Sequence, residues 1–120
     1  MKKLLVVLLA DRSSHENAGR ATHALLYAKQ ANEAKLTSKL IFDGGGTEWA
    51  LEMTKELSHY HSLYKKLTEK GVILGVCRFC SKAFGIEDEL KKVDASFIDE
   101  DQGHPNIGRY IAEGWQVITL

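Results

Sequence analysis

The chain has 120 residues, of which 44% are hydrophobic, 16 are Lys or Arg and 16 are Asp or Glu. This length predicts a single domain over residues 1–120 that needs neither disulfides nor a structural metal to complete its core. A net charge of zero excludes the strongly basic surface typical of proteins that bind nucleic acid or anionic membranes, and it favours self-association.

The first predicted element is a β-strand. Residues 4–9 are a continuous run of Leu and Val, a pattern typical of a parallel strand that is covered on both faces. This apolar run is too short to cross a membrane. Asp11 and Arg12 follow it where a signal peptide would have a small-residue cleavage site, so we expect a cytoplasmic protein without membrane partners.

A helix, a second strand and a glycine turn follow. Ser13 and Glu16 are spaced as in a capping box, which predicts a helix that starts there and ends near Ala34. Residues 39–43 form the second predicted strand. The turn Gly44-Gly45-Gly46 matches no phosphate-binding motif, and we expect it to let the next helix start close to the sheet.

One long helix is expected after this turn. Thr47 is the predicted N-cap and Gly71 the C-terminal stop. Its apolar stripe consists of Trp49, Met53, Leu57, Tyr60, Tyr64 and Leu67. His59 and His61 lie two residues apart, so they point to different faces of a helix and form a poor chelating pair.

The C-terminal half contributes three more strands. The predicted elements are strands at 72–76, 96–98 and 115–120, a short helix that follows the step 77–80 and runs through Phe84, and helices at 87–92 and 106–113. Alternation of strands and helices favours right-handed crossovers in a parallel sheet. We therefore predict an α/β, flavodoxin-like three-layer sandwich, with a five-stranded parallel sheet and helices on both faces.

The loops that follow the strands should share one rim, at the carboxyl edge of the sheet. The rim residues that we expect to bind a ligand are Asp11, Ser13, Ser14, His15, Gly45 and Gly46. If the strand order is 2-1-3-4-5, the switch point lies between the first and third strands. That order would place the loop of residues 11–14 beside Cys77.

Cys77 is the candidate nucleophile. It ends the third strand and precedes a helix, with Arg78 and Lys82 close in sequence. Backbone N–H groups at the helix start and these two cations favour the thiolate. We expect Asp11 and the acidic residues 99–101 to share this rim, where they would raise the pKa of Cys77. A buried cysteine that only packs is the alternative interpretation.

Cys80 completes a Cys-x-x-Cys element, in which a second thiol can attack a sulfur atom held on the first. A zinc site needs more ligands, and His15 or His104 would have to meet the cysteines through the tertiary fold. We therefore expect no metal. Ala83 stands where the Cys-x5-Arg loop of low-molecular-weight phosphatases needs its arginine, which argues against phosphate-monoester chemistry.

Four features together resemble a known family. They are a hydrophobic first strand with an Asp-containing turn (residues 4–11), a glycine turn after the second strand (43–46), a Cys ending the third strand with a Gly eight positions later (Cys77, Gly85), and the terminal segment 114–120. In these the chain resembles the DsrE/DsrF-like (YchN-type, TusD-related) sulfur-relay family, over nearly its whole length.

The resemblance implies homotrimers or homohexamers and a sulfurtransferase-type relay without a cofactor. By position, Cys77 would accept sulfane sulfur as a persulfide from a protein donor and pass it to a protein acceptor. Cys80 departs from this pattern, since a second thiol can release the sulfur as sulfide and leave a disulfide. Two other functions stay open, namely a non-catalytic oligomeric binding or assembly module and a dithiol redox or metal-binding protein that uses both cysteines.

Overall fold

The computed structural model describes residues 2–120, and over that range it contains one five-stranded sheet. The strands are β1 (Lys3–Leu8), β2 (Thr37–Phe42), β3 (Ile73–Cys77), β4 (Phe97–Ile98) and β5 (Trp115–Thr119). The helices are α1 (His15–Glu33), α2 (Gly46–Met53), α3 (His61–Glu69), α4 (Arg78–Ala83), α5 (Glu87–Lys92) and α6 (Ile107–Ala112). Every neighbouring pair of strands in the sheet is parallel. The predicted α/β class and parallel sheet are thus confirmed.

The strand order is β4-β3-β2-β1-β5, which differs from the order 2-1-3-4-5 on which the placement of the 11–14 loop beside Cys77 depends. The chain moves in one direction through its first three crossovers and then returns to the far side of β1. Right-handed crossovers place helices of the first three connections on one face and α6 on the other. The two core clusters agree, because Met53 and Leu67 share one and Tyr110 belongs to the other.

The apolar run of β1 is buried on both faces. Leu5 to Leu8 are at most 2% exposed, and β1 pairs with β2 on one side and β5 on the other. Successive side chains of a strand point to opposite faces. Val6 and Leu8 accordingly pack in one core cluster, and Leu5 and Val7 in the second. The central strand predicted from the continuous Leu/Val run is confirmed.

The expected long helix is two helices, α2 and α3. Trp49 and Tyr60 pack edge to face with ring centroids 5.3 Å apart, which folds the second helix back toward the first. The end of α2 is closed by side chains, since Thr54 Oγ1 donates to the Leu51 carbonyl and His61 Nδ1 lies 3.0 Å from the Met53 carbonyl. Side chains that bond backbone carbonyls in this way compete with a continuing helix.

Neither predicted N-cap residue is the observed one. Ser14, rather than Ser13, is the N-cap of α1, and its Oγ accepts from Asn17 N at 3.1 Å. The hydroxyl of Ser13 instead donates to Asp11 Oδ1 at 2.6 Å. Thr47 lies inside α2, fully buried, and its hydroxyl donates to the Gly44 carbonyl. The start of α2 is therefore set by the glycine turn rather than by a side-chain cap.

The glycine turn lets α2 start against the end of β1, as predicted. A Cβ on Gly46 would overlap with the Leu8 carbonyl, and one on Gly45 would lie 2.5 Å from Asp11 Cβ. No side chain fits in either position without moving the backbone of the neighbouring segment. By contrast, Gly19 in α1 has nothing within 4 Å of where its Cβ would be.

Within residues 2–120, none of the helices combines the length and apolar character required to cross a bilayer.

We expect Gly46→Ala to destabilise the protein by about 1–3 kcal/mol, because the added methyl overpacks a site closed by backbone. Gly19→Ala is the matched control and should be neutral or stabilising by up to about 1 kcal/mol, since alanine is the better helix former. Urea denaturation of both variants measures the free energies of unfolding. Equal values for the two variants would contradict the close approach of the turn to β1.

The break between α2 and α3 makes a second prediction. Leu67 is 2% exposed, whereas Leu57 between the helices is fully exposed. Leu67→Ala should cost about 2–5 kcal/mol, and Leu57→Ala should stay within about 0.5 kcal/mol of the wild type. A single continuous helix with both leucines on its apolar stripe would instead make both substitutions costly in the same denaturation experiment.

Candidate functional site

Four side chains from neighbouring segments meet at the carboxyl edge of the sheet. They are Asp43 after β2, Cys77 at the end of β3, Cys80 in α4 and His104 in the loop after β4, and one ligand atom from each lies within 4.8 Å of all the others. The register produces this meeting, because Phe42 pairs with Val76, and Cys77 pairs with Ile98. We call these four residues the rim cluster.

Cys77 is buried, with no exposed surface. Its Sγ accepts a hydrogen bond from Cys80 N at 3.4 Å and lies 3.5 Å from His104 Nδ1. Burial raises the pKa of the Cys77 thiol far above its ordinary value; the Cys80 N–H acts in the opposite direction, and the Asp43 carboxylate raises the pKa further. The direction is opposite to the thiolate stabilisation that the sequence suggested.

The loop after β4 fixes the position of His104. Asp99 Oδ1 accepts from Gly103 N at 2.8 Å, and Asp101 and His104 form a short antiparallel bridge. The Phe79 ring packs on the imidazole with centroids 4.5 Å apart, and Phe79 N donates to the Gly103 carbonyl. These contacts hold the imidazole with its Nδ1 3.5 Å from the sulfur of Cys77.

The acidic residues of that loop act differently from what we expected. Asp99 holds the loop, and Glu100 binds Arg109, Tyr110 and the backbone of Asn106. The carboxylate that raises the pKa of Cys77 is that of Asp43, on the opposite side of β3.

Cys80 and Asp43 form the second half of the rim cluster. Cys80 is partly exposed, and its Sγ donates to Asp43 Oδ1 at 3.5 Å. The same oxygen accepts from Gly44 N at 2.8 Å, so the glycine turn also orients the carboxylate. The two thiols therefore differ in access, with Cys80 facing the rim and Cys77 lying beneath it.

Arg78 and Lys82 do not support the Cys77 thiolate. Arg78 Nε lies 3.8 Å from Glu87 Oε2, and its guanidinium stands over the Phe97 ring at 5.6 Å. Lys82 lines a shallow cavity with Gly85, Glu87 and Asp88. Neither cation is among the groups that shift the pKa of Cys77. The polar neighbours of the sulfur are instead Asp43, Cys80 and His104, together with the Gly103 carbonyl and the Cys80 N–H.

The other predicted rim residues form a separate cluster at the end of β1. Asp11 Oδ1 accepts from the Ser13 hydroxyl and N–H and from Asn17 Nδ2, which lowers the pKa of Asp11. Trp49 Nε1 donates to the Asp11 carbonyl, and Gly45 packs against the same residue. These contacts join the β1 turn to α2 and indicate a structural role.

Ser14 caps α1, and His15 begins that helix beside a cavity that His23 also lines. Because β2 separates β1 from β3, the loop of residues 11–14 is not the neighbour of Cys77, as the other strand order had suggested. Asp43 and the loop that carries His104 occupy that position. His104 does meet the cysteines through the tertiary fold, and His15 does not join them.

The partly exposed Cys80 should react with iodoacetamide well before Cys77, because alkylation requires the reagent to reach the sulfur. The measurement is peptide mass spectrometry of reduced, chelator-treated protein over time. In guanidinium chloride the two cysteines should react at similar rates, which serves as the control. Equal rates in the folded protein would contradict the burial of Cys77.

The comparisons with known proteins concern the family and the fold. The model of the DsrE/DsrF-like family matches residues 4–120. No curated protein shows significant sequence similarity. A conserved protein of unknown function from Bacteroides thetaiotaomicron has a similar structure, with a TM-score of 0.60 and 13% identity over 97% of this chain and 94% of that one. At this identity the likeness concerns the fold alone.

Proposed function

Since the chain belongs to the DsrE/DsrF-like family, we propose that it is a sulfur carrier, which accepts sulfane sulfur as a persulfide on Cys77 and passes it to a partner protein. The observation that carries this proposal is the environment of the buried Cys77 sulfur. A basic nitrogen, His104 Nδ1, lies 3.5 Å away, and a second thiol stands nearer to solvent on Cys80.

Loading begins with removal of the Cys77 proton. In the tautomer with the proton on Nε2, His104 Nδ1 is an acceptor and can take the thiol proton. The thiolate attacks the terminal sulfur of a donor persulfide, forming a new S–S bond on Cys77 while the S–S bond of the donor breaks. The donor leaves as a thiolate. The exchange is redox-neutral and needs no cofactor.

Cys80 is the thiol that a sulfur donor reaches first. Its thiolate can take the sulfur from the donor first, after which the Cys77 thiolate attacks the terminal sulfur and Cys80 leaves as a thiolate. Attack on the inner sulfur instead expels hydrosulfide and leaves a Cys77–Cys80 disulfide. The burial of Cys77 supports its role as the final holder, because bulk reductants reach a buried persulfide slowly.

The proposal includes protein partners and self-assembly in the cytoplasm. A homotrimer or homohexamer is the assembly that the family resemblance implies, and the zero net charge favours association. Large apolar side chains remain exposed on the single chain, including Leu9, Phe79, Phe84, Ile111 and Ile118. Phe79 lies against His104, so a partner that covers it would sit directly over the rim cluster.

Intact mass spectrometry after exposure to a persulfide donor tests the proposal. The wild type should gain the mass of one sulfur atom, and Cys77→Ser should lose this stable adduct. Cys80→Ser should still load, but more slowly, because sulfur must then enter without the exposed thiol. Chelator is present throughout, so that adventitious metal does not block the thiols.

Two results would contradict this assignment. Loading that survives in Cys77→Ser and disappears in Cys80→Ser would make Cys80 the carrier. A loss of two hydrogens without sulfur gain would indicate a Cys77–Cys80 disulfide and a dithiol redox function. Circular dichroism of both variants checks that the loss of an adduct reflects chemistry rather than unfolding.

A further inference from the structure

We propose that the reduced rim cluster is a binding site for Zn²⁺, with Asp43, Cys77, Cys80 and His104 as its four ligands. This inference goes beyond the sulfur-carrier function, although it uses two of the same sulfur atoms. It rests on the convergence of one donor atom from each side chain within 4.8 Å.

The distances between the donors match a tetrahedral site. Cys77 Sγ lies 3.5 Å from His104 Nδ1, and Cys80 Sγ lies 3.5 Å from Asp43 Oδ1. With typical Zn–S, Zn–N and Zn–O bonds, a tetrahedron places sulfur about 3.5 Å from either nitrogen or oxygen. Two of the donor pairs thus stand at the separation that a bound ion requires, and the remaining pairs lie within 4.8 Å.

The chemistry of the donor set selects the ion. Two cysteine sulfurs and one imidazole nitrogen suit Zn²⁺, whereas Mg²⁺ and Ca²⁺ prefer sites made of oxygen atoms. Two thiolates and one carboxylate nearly balance the charge of a divalent ion. The ion would therefore offset the repulsion that arises when both thiols lose their protons beside the Asp43 carboxylate.

The surroundings hold the ligands in place, as expected of a metal site. Gly44 N donates to Asp43 Oδ1, and Cys80 N donates to Cys77 Sγ. His104 is fixed by the hydrogen-bonded loop after β4 and by the Phe79 ring. Each donor is therefore oriented by contacts that do not involve the ion.

Zinc and sulfane sulfur compete for the same atom in this arrangement. A Cys77 sulfur that is bound to Zn²⁺ donates electron density to the ion, so it is a weaker nucleophile toward a donor persulfide than the free thiolate. Release of the ion frees the thiolate without any redox step. The reduced, unloaded carrier is thus the form that binds metal.

The test is a titration of untagged, reduced, metal-free protein with Zn²⁺ against a chromogenic chelator, and with Co²⁺ followed by absorption. Co²⁺ should give the intense visible bands of a tetrahedral site and a near-ultraviolet thiolate band. Zn²⁺ binding should release about two protons, one from each thiol. It should also raise the midpoint of urea unfolding.

Variants of the ligands identify the donors. His104→Ala and Cys80→Ser should each weaken Zn²⁺ binding by at least about 100-fold, because loss of groups that merely orient ligands already costs about 10–100-fold. Asp43→Asn, which removes the charge but keeps an oxygen, should weaken it by about 10-fold or more. His23→Ala is the matched control, because His23 stacks on Tyr27 in α1, away from the cluster. This variant should bind Zn²⁺ with the affinity of the wild type.

Wild-type affinity in His104→Ala or Cys80→Ser, or a Co²⁺ spectrum without a thiolate band, would overturn the proposal. Circular dichroism of the metal-free variants shows whether each one folds. If His104→Ala does not fold, Cys80→Ser is the variant that tests the proposal, because Cys80 is partly exposed. Persulfide loading of the same proteins in chelator separates the two proposals, since a failed sulfur carrier can still give the Co²⁺ spectrum. Conversely, a protein without a metal site can still load sulfur.

Discussion

The pairing of β3 between β2 and β4 is the constraint on which the site depends. In a parallel sheet the carboxyl ends of neighbouring strands lie side by side, and here the register sets Phe42 beside Val76 and Cys77 beside Ile98. This register places Asp43, which follows β2, on one side of Cys77. The loop that carries His104, which follows β4, lies on the other side. A shift of one strand in the order would have given Cys77 other neighbours.

The glycine turn of residues 44–46 determines how the Asp43 side chain is oriented in the site. With Gly45 and Gly46 the backbone lies against Asp11 and Leu8 more closely than any Cβ would allow. This approach brings α2 onto the end of β1, and the N–H of Gly44 then orients the Asp43 carboxylate toward Cys80. The sequence predicts only a tight turn here. In the structure the same turn also positions the Asp43 carboxylate.

The sequence predicts the layers of this fold better than the partners of its cysteines. Runs such as residues 4–9 identify buried parallel strands, because the pattern depends only on local periodicity and burial. Strand order depends on which crossover passes over which strand, and local patterns do not record this. Proximity in the sequence therefore predicts Arg78 and Lys82 beside the thiol, whereas the contacts of Asp43 and His104 with the cysteines depend on the strand order.

The predicted long helix is a second case in which a local sequence pattern does not reveal a contact made in the folded chain. Its apolar stripe predicts a continuous helix through Leu57, since each residue recurs at helical spacing. The break depends on contacts across the chain, namely Trp49 on Tyr60 and the His61 imidazole at the Met53 carbonyl. Once those contacts form, the intervening residues no longer need to bury an apolar face, and Leu57 is left in solvent.

Burial of Cys77 has two opposite consequences for chemistry. It raises the pKa of the thiol, which makes the free nucleophile scarce, yet it also shields whatever the sulfur holds. A persulfide and a metal ion both replace the proton on that sulfur, and both would be released slowly into bulk water from such a position. The partly exposed Cys80 offers the route of exchange, because it contacts Asp43 in the cluster while facing the rim. In the proposed carrier, the buried Cys77 would hold the sulfur and the accessible Cys80 would transfer it.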